Sequence, residues 1–314
     1  MKIAILSPKS EFNNDQIALL ESVAEVVFTE TRDEHPIEKL LDISKDADII
    51  ALDPDVCGGF EKAKENVNTI MESLPNLKGV CLGTTSFGWI DLEYCENKGI
   101  PVTNCPGWSK NSVAEQTIAF ILNSVRRIIL TDRETQKGQY KLEMASEVSG
   151  KTLGIIGLGS IGSRVAELAQ GLGMKVIAYN RSPKSVAGVE MVSMDELLKN
   201  SDVISIHVTH SPDNENLINS DVLNKLKRGA FVVNLSDRKV VNEEAMAQAL
   251  QDKIVASYIF ELESFDGSPL TNLPGAIMMK PFAWFTKEAL DRLIQLWTEN
   301  ILAMAKGTLQ HRIN

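Results

Sequence analysis

The chain is poor in the residues that metal and disulfide chemistry need. Its 314 residues include only 4 cysteines and 4 histidines. Cys57, Cys81, Cys95 and Cys105 show no Cys-x-x-Cys spacing, so neither a disulfide framework nor a bound metal is expected. Free thiols in a reducing compartment, the cytoplasm, are the expectation. Positive charge is short as well: 32 Lys and Arg stand against 42 Asp and Glu, a net charge of −10. A phosphate-binding surface has to be basic, so neither nucleic acid nor an anionic membrane is an expected partner. No apolar run is long enough to cross a bilayer. The apolar start Ile3–Leu6 meets polar residues at once and reads as a first strand, not a secretory leader. Internal repeats and low-complexity linkers are missing too. What remains is an ordinary composition, 44% hydrophobic and 24% charged, on a chain long enough for two sizeable cores.

Strand-like and helix-like patterns alternate from the first residue. Strands are predicted at Lys2–Leu6, Glu25–Phe28, Asp48–Leu52 and Lys78–Leu82. Helices are predicted at Gln16–Ala24, Pro36–Ile43, Glu61–Leu74 and Asp91–Lys98. Such alternation implies a parallel sheet covered by helices, an α/β fold. Ser112–Ile129 reads as one long apolar-periodic helix, suited to a domain junction, a dimer surface or plain core packing. Further strands follow at Val203–Val208, Ala230–Asn234, Ile254–Ile259 and Ile277–Met279, and a last helix at Lys287–Lys306.

The most specific stretch is Gly157-Leu158-Gly159-Ser160-Ile161-Gly162. A Gly-x-Gly-x-x-Gly means little alone, but here its surroundings are right. Thr152–Ile156 reads as a buried strand entering it, Ser163–Ala169 as a helix leaving it, and Met174–Tyr179 as a second strand. That is the context of a dinucleotide fingerprint. Gly157 serves the tight turn, Gly159 lets backbone approach a pyrophosphate, and Gly162 lets helix pack on strand. The amides at Ser160 and Ile161 then face the phosphates from a helix N-terminus.

Other segments resemble the D-isomer-specific 2-hydroxyacid dehydrogenases. They are Gly99–Gly107, Asn111–Glu115, the glycine fingerprint, Ser201–Val208 and Leu226–Asn234. The resemblance covers nearly the whole chain. It implies two Rossmann-like doubly wound parallel-sheet domains, the dinucleotide domain (101–286) inserted into a flavodoxin-like substrate domain (1–100 plus 287–314). It also implies a small-molecule substrate, an oxidoreductase acting on CH–OH donors, and a homodimer built largely on the dinucleotide domain.

Cofactor choice is read where the second strand of the fingerprint ends. An acidic residue there binds ribose hydroxyls and repels a 2′-phosphate. This chain has Asn180, Arg181 and Ser182 instead. Asn180 brings no repelling charge, and Arg181 has a fork suited to phosphate. The pattern favours NADP(H), with NAD(H) the alternative. Thr209 and Leu235, each just beyond a strand, are further expected cofactor contacts.

Family members carry an Arg that clamps the substrate carboxylate, a His that protonates the carbonyl oxygen, and a Glu that holds the His. Here Asp237 falls at the Arg position with Arg238 beside it, Tyr258 stands where the family has an Asp, and Glu263 falls at the Glu position. The Pro-His motif is replaced by Pro281-Phe282-Ala283-Trp284-Phe285-Thr286, without a histidine. Glu263, Arg238 and Asp237 are therefore the catalytic candidates. His210, just past a strand at the cofactor edge, is a substitute acid or a loop histidine beside the adenosine half. A carboxylate about 4 Å from an inward Asp237 would suffer on the order of 4 kcal/mol of repulsion at an effective dielectric of about 20. Alternatively, a one-residue shift swings Arg238 into the old role. The substrate-side loop is represented by Ser86, Phe87 and Gly88, and Trp284 adds bulk to the expected pocket. These losses leave open a divergent reductase of a 2-oxoacid, carbonyl or imine, or a catalytically silent NAD(P)-binding protein.

Overall fold

A computed structural model describes residues 1–140, 142–182, 184–262 and 267–314. It divides into two compact units, Met1–Ser109 with Lys287–Asn314, and Lys110–Thr286.

The first unit is built on β1 (Lys2–Pro8), β2 (Glu25–Thr29), β3 (Ile49–Leu52), β4 (Gly79–Leu82) and β5 (Val102–Thr103). They form one parallel sheet in the order β2-β1-β3-β4-β5. Its strands are apolar on both faces because helices cover both. Along β1, Ala4 and Leu6 join one core, while Ile3 and Ile5 join the other. The returning helix Lys287–Ala305 belongs to this unit: Trp297 donates its indole N–H to the Cys81 carbonyl at 3.0 Å. The last residues tie in beside β5, where Ile313 donates its backbone N–H to the Val102 carbonyl. All four cysteines are buried and unpaired.

The second unit carries β6 (Thr152–Ile156), β7 (Lys175–Tyr179), β8 (Val189–Met191), β9 (Val203–Ile206), β10 (Ala230–Asn234), β11 (Val255–Glu261) and β12 (Ala276–Met279). The order is β12-β11-β10-β9-β6-β7-β8, again all parallel. Strand order reverses at β6, between β7 and β9, and that reversal opens a crevice at the strands' carboxyl ends. Both expected doubly wound sheets are thus present.

The stretch expected as one helix over Ser112–Ile129 is two helices, Lys110–Arg126 and Ile128–Gln136. The break lies at Arg127, whose φ is +57°. Asn123 accepts the Ile129 backbone N–H at 2.8 Å, and Arg127 pairs with Glu143. Polar contacts from Asn123 and Glu143 therefore accompany the end of the first helix. The first piece is core: Ala114, Phe120, Ile121 and Val125 pack with Leu153, Ile155 and Val165.

Candidate functional site

The glycine loop leaves β6 at the point where strand order reverses. Each glycine has a separate reason to lack a side chain. Gly157 has φ +99°, and a Cβ there would lie 2.4 Å from the His207 carbonyl oxygen. At Gly162 a Cβ would lie 2.2 Å from the Gly157 carbonyl oxygen. Gly159 differs, because a Cβ there would meet nothing within 4 Å. Packing does not account for Gly159, whereas close approach of a ligand to its backbone does. Helix Ser160–Gly171 begins at this residue, so its first amides open onto the same space. The loop fits a dinucleotide pyrophosphate.

Asn180 braces the loop. Its side-chain oxygen accepts the Leu158 backbone N–H at 3.1 Å, and its amide donates to the Ser182 carbonyl at 2.8 Å. The Asn180 side chain is therefore committed to backbone, while Arg181 and Ser182 are exposed beside it. Ser160 and Thr209 are exposed, whereas Ile161 and Leu235 are half-buried against the core.

Beyond the reversal, β9 and β10 deliver two polar turns to the same carboxyl edge, with β11 alongside. After β9, burial holds the His207 imidazole down at about 4, so it is neutral; Ser205 Oγ and His207 Nε2 share a 2.5 Å hydrogen bond. After β10, buried Asn234 accepts the Ser236 backbone N–H at 2.9 Å and donates to the Tyr258 hydroxyl at 3.2 Å. Tyr258 is buried and stacked on Phe260, at the position where the resemblance expected an Asp facing the nicotinamide. Its hydroxyl is met by Asn234, and burial pushes it above the ordinary tyrosine range.

Asp237 and Arg238 diverge. Asp237 Oδ1 accepts the Lys239 backbone N–H at 2.8 Å, and Oδ2 lies 3.8 Å from His210 Nδ1. Arg238 turns onto Glu243 in a two-pronged contact, Nε to Oε1 at 2.9 Å and Nη2 to Oε2 at 2.8 Å. Ser268 Oγ donates to Glu243 Oε2 at 2.8 Å. The guanidinium thus joins the turn after β10 to helix Glu243–Gln251, and the charge next to the His210 ring is Asp237. Glu263 lies outside the described residues.

Sequence reasoning missed Glu261, at the end of β11. Its carboxylate accepts the backbone N–H groups of Phe282 at 3.3 Å and Ala283 at 3.0 Å. Burial raises its pKa to about 7, against the lowering effect of those two donors. Ser112 Oγ donates to the Ala283 carbonyl, so the loop that replaces Pro-His is held from both sides. Phe282 and Phe285 of that loop are exposed, and Trp284 stands edge-on to Phe285 at 5.2 Å. The Glu-x-Glu spacing of Glu261 and Glu263 was the available signal; only the fold shows which backbone Glu261 faces.

In the first unit, the loop after β4 presents Ser86, Phe87 and Gly88 exposed. Trp89 does not share that exposure: it is 3% exposed and donates to the Ser86 carbonyl at 3.0 Å. It is a core aromatic that shapes the loop from beneath. Among the described residues no group of His, Cys, Asp and Glu could hold a metal, and no helix is long and apolar enough to cross a membrane.

Residues 118–281 match the model of the D-isomer specific 2-hydroxyacid dehydrogenase NAD binding domain. A glyoxylate reductase of Thermofilum pendens is 30% identical over 309 residues, 93% of this chain and 89% of that protein. A D-3-phosphoglycerate dehydrogenase of Methanocaldococcus jannaschii is 32% identical over 100% of this chain and 59% of its own length. Among solved structures, an acyclic imino acid reductase in complex with NADPH and D-Arg superposes with a TM-score of 0.84 at 26% identity, covering 100% of both chains. An NAD-dependent formate dehydrogenase of Staphylococcus aureus with NAD gives 0.78 at 25%, covering 100% of this chain and 99% of that one. A glycine loop that a dinucleotide fits, on a sheet of this order, agrees with that match, and the chain belongs to the D-isomer specific 2-hydroxyacid dehydrogenase family of oxidoreductases, which use a nicotinamide dinucleotide.

Proposed function

We propose that the protein is an NADP(H)-dependent reductase, transferring hydride to a 2-oxoacid-like carbonyl or imine whose reacting end does not rely on an arginine clamp. The observation that carries this reading is the divergence of Asp237 and Arg238. With Arg238 paired to Glu243, the group beside the His210 ring is a carboxylate. An anion there repels a free substrate carboxylate and favours a cationic partner, such as an iminium or an amine-bearing substrate. The name of the imino acid reductase relative, solved with NADPH, supports the same direction. Exposed Arg181 beside the uncharged Asn180 supports NADP(H) over NAD(H).

When bound, the reduced nicotinamide supplies a hydride. The chain's own part is to hold and orient. Amides at 159–162 would take the pyrophosphate, Asn180 keeps the loop closed onto the β7 end, and Arg181 would take a 2′-phosphate. Asp237, with Arg238 and Glu263 as the other catalytic candidates, would set the polarity of the reacting end; Ser86, Phe87, Gly88 and Trp284 would contact substrate.

The test is NADPH and NADH oxidation against a panel of 2-oxoacids, each with and without ammonium or a primary amine. Turnover with NADPH that requires the amine supports the reading. NADPH binding without turnover on any member defeats it and favours a silent NAD(P)-binding subunit, the reading that Arg238's commitment to Glu243 otherwise suits.

We also infer a homodimer in a reducing compartment such as the cytoplasm. Ile128, Tyr140, Leu142 and Met144 are 56%, 92%, 86% and 98% exposed, a density of large apolar side chains that a lone surface seldom carries. A second copy of the chain is the expected cover.

A further inference from the structure

We propose that His210 and Asp237 form the proton-delivering pair of this site, His210 giving a proton to the substrate heteroatom while Asp237 orients the ring. This rests on the reductase reading above.

Among the described residues, the histidines differ in what their rings already do. His35 and His311 belong to the first unit, with Nδ1 against the Asp33 carbonyl and Asn300 Oδ1 respectively. His207 is neutral and bonded to Ser205. His210 is the one at the carboxyl edge of β9–β11 whose ring faces a carboxylate. Dinucleotides lie across the strand-order reversal, with the adenosine half at the β7 end. The nicotinamide half then falls over β9 and β10, whose trailing turns carry His210 and Asp237.

The geometry sets one role for each ring nitrogen. Asp237 Oδ1 is tied to the Lys239 amide, which aims Oδ2 at His210 Nδ1, 3.8 Å away. That separation is longer than a hydrogen bond, and such pairs tighten when a ligand fills the site. On the ring's other side, His210 Nε2 is shielded and has no hydrogen-bond partner among the described residues. Native folds leave few polar atoms in that state, and those that remain call for a functional explanation. A carboxylate at Nδ1 selects the tautomer and leaves Nε2 to exchange a proton with the substrate. The neighbouring charges are otherwise engaged: Arg238 on Glu243, and Glu261 on the Phe282 and Ala283 amides. Lys239 is exposed on the turn itself.

The chemistry balances. With a carbonyl or a neutral imine, the substrate carbon receives the hydride with its two electrons, the π pair moves onto the heteroatom, and that atom takes the Nε2 proton of the His210 imidazolium, leaving the neutral Nδ1–H ring; an iminium becomes the amine on hydride addition alone. The substrate is reduced, the nicotinamide is oxidised by the same two electrons, and the neutral imidazole regains its proton from water.

Two measurements test the pair. The first is the imidazole ¹⁵N spectrum of the whole protein at alkaline pH, without cofactor. The Nδ1–H tautomer of His210 is expected, reverting to Nε2–H in Asp237→Ala; an Nε2–H tautomer in the unmodified protein overturns the proposal. The second is kinetics on whichever carbonyl or imine is turned over. His210→Gln is expected to lower kcat by about 10²–10⁴-fold with NADPH affinity unchanged. Asp237→Ala should lose less, with Asp237→Glu restoring part of it. Full turnover in His210→Gln overturns the proposal. If the unmodified protein turns over nothing, the reductase reading fails, and the spectrum alone still decides whether the pair exists.

Discussion

Replacing Gly159 with alanine should weaken dinucleotide binding and leave the fold standing, whereas replacing Gly157 should damage the fold itself. At Gly157 two costs add. A φ of +99° is disfavoured for any residue with a Cβ, at about 1–2 kcal/mol. The new Cβ would also sit 2.4 Å from the His207 carbonyl oxygen, a backbone atom that cannot swing aside, and overpacking of this kind costs about 1–3 kcal/mol. The sum, about 2–5 kcal/mol, is a large share of the stability of an ordinary domain. At Gly159 neither cost applies: the backbone is extended, with φ −75°, and no atom lies within 4 Å of the added Cβ. Alanine there should change stability by less than about 1 kcal/mol, a poorer helix cap being offset by a stiffer unfolded chain. The methyl would nevertheless stand where a pyrophosphate must approach the amides. Losing one charge-assisted hydrogen bond costs about 1.5–3 kcal/mol, or about ten- to a hundredfold in affinity. Urea unfolding followed by circular dichroism reads the first effect, and quenching of tryptophan fluorescence by NADPH reads the second. Wild-type NADPH affinity in Gly159→Ala would refute the reasoning, as would wild-type stability in Gly157→Ala.

Four further outcomes follow from other parts of the molecule. Arg181→Ala should weaken NADPH about tenfold and leave NADH unchanged, since one charge-assisted phosphate contact is at stake; equal losses for both nucleotides would count against a 2′-phosphate site. Glu243→Gln should cost about 1–2 kcal/mol in urea, because it weakens the two-pronged Arg238 contact and the Ser268 hydrogen bond on a side chain only 12% exposed. Asp53 is buried, and desolvation, opposed by Arg32, raises its pKa to about 6. A raised carboxyl contributes stability below its unfolded value and loses it as pH rises through the folded one, so unfolding free energy should fall by up to ~3 kcal/mol between about pH 4 and pH 6, and Asp53→Asn should flatten that fall. The double substitution Leu142→Asp and Met144→Glu should halve the mass seen by sedimentation; an unaltered mass would place the dimer surface elsewhere.

The alternation of strands and helices was legible because both faces of each sheet are covered, so every strand is a short apolar run bounded by polar turns. The glycine fingerprint was legible because its demands are local: a left-handed φ and close backbone approach are met within a few residues. Less could be read where a side chain's partner comes from far along the chain. Arg238 looked equally able to clamp a substrate, but Glu243, itself held by Ser268, takes its fork and ties it to the following helix. The single helix expected over Ser112–Ile129 is broken at Arg127, where Asn123 and Glu143 make polar contacts that hydrophobic period does not register. Glu261 passed unnoticed because its importance lies in facing the amides of Phe282 and Ala283, which the chain reaches only after building β12.

By itself, then, the sequence determined family, sheet class and nucleotide loop, since those depend on composition, period and the sterics of neighbouring residues. The tertiary structure decided which charges face the reacting edge. Asp237 points to His210 and Arg238 points away because the Lys239 amide and Glu243 take up the two side chains, with Ser268 holding Glu243 in place, and such an arrangement among groups separated in sequence is settled only where the fold brings them together.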